Sequence, residues 1–278
     1  MKKYELTSET KVINGVELHR IKALKSFGNI KEGDLGGWIE SEKILSQDGD
    51  AWVGENAAVF ENAKVYGYAT VCGNAKVRGN AKVCGNAWVG YNARVDRDAW
   101  VSGNTWVSGN ATVSGNAKVR GNATISGDAI VSGNATISGN AKVRGNTTID
   151  DYAKVYDNAI VSDNAIVSGN AKVRGNATIN GDAVVCGNAK VRGKEDLIVF
   201  KNWWSSGRYF TWTRSNNKWN VGCFYGSGEE LIAKAYKDSE KSGREYERVV
   251  NYVNDILKEE DNDNGNRNKC EDCPLRGV

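Results

Sequence analysis

From Val53 to Val191 a valine or isoleucine recurs at every sixth position, through 24 hexads without one insertion. A short fixed period of this kind is the signature of a solenoid. Six residues fit neither the 3.6 per turn of an α-helix nor the 3.5 of a coiled coil. Two positions before each aliphatic residue stands a small one, as at Ala57, Ala63, Ala69 and Ala75, with threonine instead at Thr105 and Thr147. Residues two apart on a strand share a face, so each such pair points inward together and the residue between them points out. Gly-Asn or Asp-Asn commonly precedes the pair, and these residue types take positive φ at low cost. One hexad is therefore a short strand and a corner, one side of a narrow prism.

The hexads resemble those of the left-handed parallel β-helix family, where an aliphatic residue is followed four positions later by a small one, as Val113 is by Ala117. The resemblance covers residues 51–193 and implies three hexads per coil. It departs at the position after the aliphatic, often glycine in that family and mostly serine or arginine here. A two-sided coil of twelve residues is the competing geometry. Three sides would give about eight coils, roughly 38 Å in length at about 4.8 Å per layer.

Stacked coils leave strand edges open at both ends, which the flanks are expected to cover. Residues 1–50 form an N-terminal β cap, in which Asn14-Gly15 between apolar runs signals a type I′ hairpin. Residues 194–260 read as a small α+β domain. "DLIVF" is strand-like, "RYFTWT" and "KWNVGCFYG" flank a turn at Ser215-Asn216-Asn217, and Ser227 with Glu230 forms a capping box. Tyr246, Val249, Val250, Val253, Ile256 and Leu257 give a second helix its apolar stripe. Residues 261–278 read as a polar tail whose Cys270 and Cys273 make a single CxxC, half a zinc site, so no metal is assigned. Cys223 falls in a strand-like run. The fold expected is mainly β: a left-handed parallel β-helix between an N-terminal β cap and the C-terminal α+β domain.

"GDLGGWIESE" and "LSQDGDAWV" before the repeats, with "GCFYGSGEEL" after them, are similar to a group of phage and prophage hexapeptide-repeat proteins. That resemblance spans nearly the whole chain. It implies a viral or mobile-element origin and no particular chemistry; because "MKKYELTSET" lacks the apolar core of a signal peptide, the cytoplasm, here of an infected host, is the expected location.

The better-known hexapeptide proteins are acyltransferases that use a histidine base and loops leaving the coil. This chain has one histidine, His19, outside the repeats, and none of its hexads carries an inserted loop. Asp151 and Asp157 lie near corners and read as turn residues. No phosphate-binding loop, dinucleotide fingerprint or Ser/His/Asp set is evident, so the expectation is a non-enzymatic protein without a cofactor. A net charge of +3 does not by itself announce a nucleic-acid protein, and no stretch approaches 18 apolar residues, so no membrane partner is expected.

With three sides, residues 18 apart stack, and the outward residues sort into three columns. One holds Lys64, Lys82, Trp100, Lys118, Thr136, Lys154, Lys172 and Lys190, with Arg120, Arg174 and Arg192 two positions further along. These cations either form a solubilising face or a wall that binds an anionic nucleotide or an acidic host protein. A second column ends in Ile130, Thr148, Ile166 and Val184, an apolar stripe that suits either a homo-oligomer, trimer before dimer, or docking of the C-terminal domain. The third contains Trp88 and Trp106, with Trp100 one side away; these tryptophans suit a binding site or packing under the N-terminal segment. The leading reading is a scaffold that sequesters or blocks a host component, of anti-defence type. A structural spacer of a virion or filament, and an acyltransferase-like enzyme, are the alternatives.

Overall fold

A computed structural model describes residues 2–204 and 207–271, with side chains described to residue 260. The chain divides into two compact units, Met1–Phe200 with Thr211–Asn216, and Lys201–Phe210 with Asn217–Val278.

The first unit is the solenoid. Among the described residues its hexads form twenty-four two-residue strands, β4 (Trp52–Val53) to β27 (Lys190–Val191). Each strand pairs in parallel with the one three further along, so Trp88 lies beside Trp106 and Lys154 beside Lys172. The 18-residue offset settles three sides over two, and the three columns read from the sequence are the three sheets. The inward residues Ala117, Val119, Ala135 and Ile137 are fully buried, as are their equivalents along the prism. Alanine is needed there because three sides converge on one axis and leave no space for a longer chain.

The corners follow the residue types. Glycines such as Gly121 and Gly127 take φ of +78° and +72°. Where glycine is missing, Asp151, Asp157 and Asp163 adopt the same left-handed conformation, and their carboxylates accept the N–H of Gly169, Gly175 and Gly181 one coil on. Corner asparagines bond from coil to coil, as in the run Asn86, Asn104, Asn122, Asn140 and Asn158. The acidic corners are thus structural, as the turn reading of Asp151 and Asp157 requires.

Both open edges of the prism are covered. At the N-terminal end, β1 (Tyr4–Ile13) and β2 (Val16–Ala23) form a hairpin whose turn residues Asn14 and Gly15 both have positive φ. β3 (Leu35–Ile39) then pairs in parallel with the Ala58–Val59 strand, Trp38 beside Ala58. Leu45 bridges to Val65 on a second side. The offset in this first turn is 20 residues, Trp38 to Ala58 and Leu45 to Val65, so stacking begins before the hexad period does. At the far end side chains take over from strands. Thr211 Oγ1 accepts the N–H of Val184, Ser215 Oγ that of Lys190, and Asp196 Oδ2 that of Arg192.

In the second unit β30 (Lys218–Val221) and β31 (Phe224–Gly226) pair antiparallel about Gly222 and Cys223. Cys223 therefore lies in a turn, not in a strand; Gly222 at φ +58° lets the chain reverse there. β28 (Leu197–Lys201) and β29 (Tyr209–Thr213) are the strands read as "DLIVF" and "RYFTWT". The helix α1 (Gly228–Asp238) starts at the expected box, with Ser227 and Glu230 bonding each other's backbone. The following helix, α2 (Glu240–Glu271), places Val250 and Val253 in the core beside Trp219 and Leu231, and Tyr246 edge-on to Phe210. It runs on past residue 260 into what reads as a tail, because each added residue needs only one further hydrogen bond. Cys273 lies outside the described residues, as does the side chain of Cys270.

Candidate functional site: the basic face

Lysine is the outward residue on one side of the prism in six of eight coils, and strand pairing sets the order Lys64, Lys82, Trp100, Lys118, Thr136, Lys154, Lys172, Lys190. Arg120 and Lys154 are exposed, and Lys172 and Arg174 half-buried. Among the described residues none of Lys118, Arg120, Lys154, Lys172 and Arg174 forms an ion pair with a carboxylate.

The wall is not uniform. Thr136 is short between Lys118 and Lys154, and Ser138 is short between Arg120 and Tyr156. The missing side-chain volume opens a groove of about 340 Å³ lined by Arg120, Thr136, Ser138, Lys154, Tyr156 and Lys172. Three cations and three hydroxyls face one space, an arrangement that offers an anion both charge and directed hydrogen bonds. The column of outward residues in the sequence includes Thr136 but does not point to Ser138 or Tyr156. The signal was present, since Ser138 and Tyr156 stand 18 and 36 residues beyond Arg120.

Other members of the column do not join this groove. Lys64 donates to the carbonyl of Lys43 at 2.7 Å, so the N-terminal segment draws it out of the wall. Lys82 and Lys118 flank Trp100, whose Nε1 donates to Cys84 Sγ at 3.2 Å. Tyr66 bonds the same cysteine, which pushes its phenol up to about 12. Lys190 and Arg192 are exposed on the last coil.

The tryptophans separate into two places. Trp88 and Trp106 stack at 4.2 Å on another side, and Tyr91 meets Trp88 edge-on. Trp88 lies folded over Gly90, where a Cβ would fall 2.1 Å from the ring. Cys72 bonds Trp88, and its thiol is pushed up to about 11, by burial first and Glu55 next. On the third side Ile130 and Ile166 are exposed around half-buried Thr148, and Val184 is half-buried. His19 is half-buried in β2 between Thr10 and Ile39. Among the described residues no helix is long and apolar enough to cross a membrane.

The repeat family described as YdcK Beta solenoid repeat matches residues 153–169. A protein named "Uncharacterized acetyltransferase YdcK", from Escherichia coli (strain K12), is 31% identical over 67 residues. That match takes in 21% of this chain and 21% of the relative, so the chain spans about a fifth of that protein's length. Among solved structures, LpxA from Acinetobacter baumannii aligns over 63% of this chain and 73% of its own, at 14% identity and a TM-score of 0.27. The UDP-N-acetylglucosamine acyltransferase of Francisella novicida aligns over 78% and 86%, at 14% identity and a TM-score of 0.29. By its own pairing pattern the chain is a hexapeptide-repeat parallel β-solenoid protein with a small C-terminal α+β region.

Proposed function

We propose that this protein is a non-catalytic binding scaffold whose basic face holds an anionic partner at the groove around Thr136. The observation that carries the reading is the convergence of Arg120, Lys154 and Lys172 with three hydroxyls on one open space. An anionic nucleotide fits the groove through its phosphates, and an acidic host protein would meet the longer row Lys154, Lys172, Lys190. The basic wall and the exposed tryptophans, taken with the resemblance to phage and prophage proteins, motivate sequestration of a host component as its use. The test is titration of the full chain with nucleotides and with acidic host proteins at low and moderate salt, for wild type and for Lys154→Gln/Lys172→Gln. Binding should weaken with salt, and the double variant should lose about tenfold to a hundredfold in affinity. Equal affinity in the two proteins refutes the groove.

An acyltransferase activity is the second reading, and the name of the Escherichia coli relative supports it. Here the donor would be an acyl thioester bound along the solenoid, with His19 as the one imidazole available in the chain. Release of free thiol from acetyl-coenzyme A in the presence of amine or hydroxyl acceptors, absent in His19→Asn, would establish it over the scaffold reading.

A further inference from the structure

A second charged cavity lies on a different side of the prism, beneath the tip of the N-terminal hairpin. It measures about 250 Å³ and is lined by Asn14, Phe60, Lys76, Arg78, Arg94 and Asp96. Five of these, Phe60, Lys76, Arg78, Arg94 and Asp96, come from successive coils, at the outward position or the one after the aliphatic. Lys76 and Arg94 are neighbours in strand register, and both are exposed. Below Lys76 the column holds only Ala58, so the first two coils leave a hollow. The hairpin roofs that hollow because Ile13 and Val16, on either side of the turn, pack against Leu18, Trp38, Ala58 and Phe60. Asn14 is thereby held over the cations.

Two features of this hollow are unbalanced. Three cations face a single carboxylate, Asp96, which Arg78 meets at 3.5 Å. Lys11 adds a fourth positive charge at the margin, its ammonium 4.3 Å from the centre of the Trp38 ring. Burial, and then the charges of Lys76 and Arg20, hold Lys11 below its ordinary range, as expected where like charges converge. The second imbalance is Asp96 Oδ1, which is buried and has no hydrogen-bond donor among the described residues. A buried acceptor without a partner is unfavourable unless a ligand supplies the donor.

We propose that this cavity binds a phosphorylated sugar, with the phosphate between Lys76 and Arg94 and a sugar hydroxyl donating to Asp96 Oδ1. Phosphate answers the excess of positive charge, and arginine offers it paired N–H donors. The hydroxyl answers the unpaired carboxylate oxygen without bringing further negative charge to it. Asn14 can donate to or accept from the same sugar. The volume lies just below the range of about 300–1,000 Å³ typical of drug-sized ligands, so a monosaccharide phosphate suits it and a polymer does not. This site is independent of the groove around Thr136.

The experiment is calorimetric titration of the full chain with glucose 6-phosphate, inorganic phosphate and glucose. Glucose 6-phosphate should bind, inorganic phosphate about tenfold more weakly, and glucose not measurably. Lys76→Gln/Arg94→Gln, at two exposed positions where the fold should survive, should weaken glucose 6-phosphate about tenfold or more. Asp96→Ala, which leaves the hydroxyl no acceptor, should remove the preference for the sugar phosphate over inorganic phosphate while leaving phosphate binding at least as strong. The titrations are repeated in the Lys154→Gln/Lys172→Gln protein, where glucose 6-phosphate binding at this cavity should persist, which keeps this proposal separate from the basic-face reading. Absence of binding, unaltered affinity in Lys76→Gln/Arg94→Gln, or equal loss in the Lys154→Gln/Lys172→Gln protein would each overturn it. So would equal affinity of the wild type for inorganic phosphate and glucose 6-phosphate.

Discussion

Val119 is fully buried on an axis shared by three strands, with alanines filling the remaining space. The buried residues along the axis are almost all alanines and aliphatics, which cannot compensate a charge placed there. Val119→Asp should therefore destabilise the solenoid by about 3–5 kcal/mol, read as a lower midpoint in urea. A midpoint equal to wild type would mean that this residue does not face the axis. Lys3 makes the converse point, since it is a cation that the fold already buries. Its ammonium donates to the carbonyls of Gly49 and Ala51 at 3.1 and 2.9 Å, and faces the Phe27 ring. Burial lowers its pKa from 10.5 to about 8, with Asp50 opposing the shift. Below pH 8 both folded and unfolded chains hold the proton, so the cost of burying the charge is felt in full. Between pH 8 and 10.5 the unfolded chain binds more protons, and this group's contribution to stability rises with pH. Lys3→Met should flatten that rise, measured as the difference between the two proteins in urea midpoint at pH 7.5 and pH 9.5. Parallel curves would remove Lys3 from the account.

At the scale of the hexad, the corner decides which substitutions survive. Gly127 has φ +72°, and a Cβ there would fall 2.8 Å from the backbone N and O of Gly145 on the next coil. The left-handed conformation alone is unfavourable for an L residue by about 1–2 kcal/mol, least for Asn and Asp. The chain itself uses Asp151, Asp157 and Asp163 at equivalent corners. Gly127→Asn should thus cost about 1 kcal/mol, and Gly127→Val, β-branched and unable to bond the next coil, about 2–3 kcal/mol. Thermal unfolding ranks the two, and equal losses would show that the corner relaxes freely. The same corners carry the asparagine runs, so register is held by side chains as well as by the strands.

For the molecule as a whole the open question is what meets its third side. Ile130 and Ile166 are 43% and 38% exposed on alternate rungs of one sheet, with Thr148 on the rung between them. Contiguous exposed β-branched surface is unfavourable in water and commonly marks contact with another subunit. We expect a homo-oligomer, a trimer before a dimer, in light scattering of the wild type. Ile166→Glu places a charge in the contact and should shift the mass to that of a monomer. A monomeric wild type refutes the contact.

Much of this was determined by the sequence alone. The solenoid, its inward alanines and aliphatics, the Asn14-Gly15 hairpin and the Ser227 capping box all follow from local rules repeated in order. Side-chain alternation along a strand and positive φ at a corner act within six residues, so twenty-four copies state them without ambiguity. The three-sided closure needed the pairing of residues 18 apart, since a period of six is equally compatible with twelve. Tertiary structure also decided everything that depends on departures from the repeat. Lys64 leaves the wall for the Lys43 carbonyl, Trp52 disappears under Phe27, and Trp100 turns to Cys84 while Trp88 stacks on Trp106. The groove at Thr136 and the roofed hollow at Asp96 exist only because short side chains in one coil meet long ones in the next, or a hairpin some sixty residues away. Such contacts join segments with no common period, so their physical cause, shape and charge across stacked layers, is absent from any single hexad.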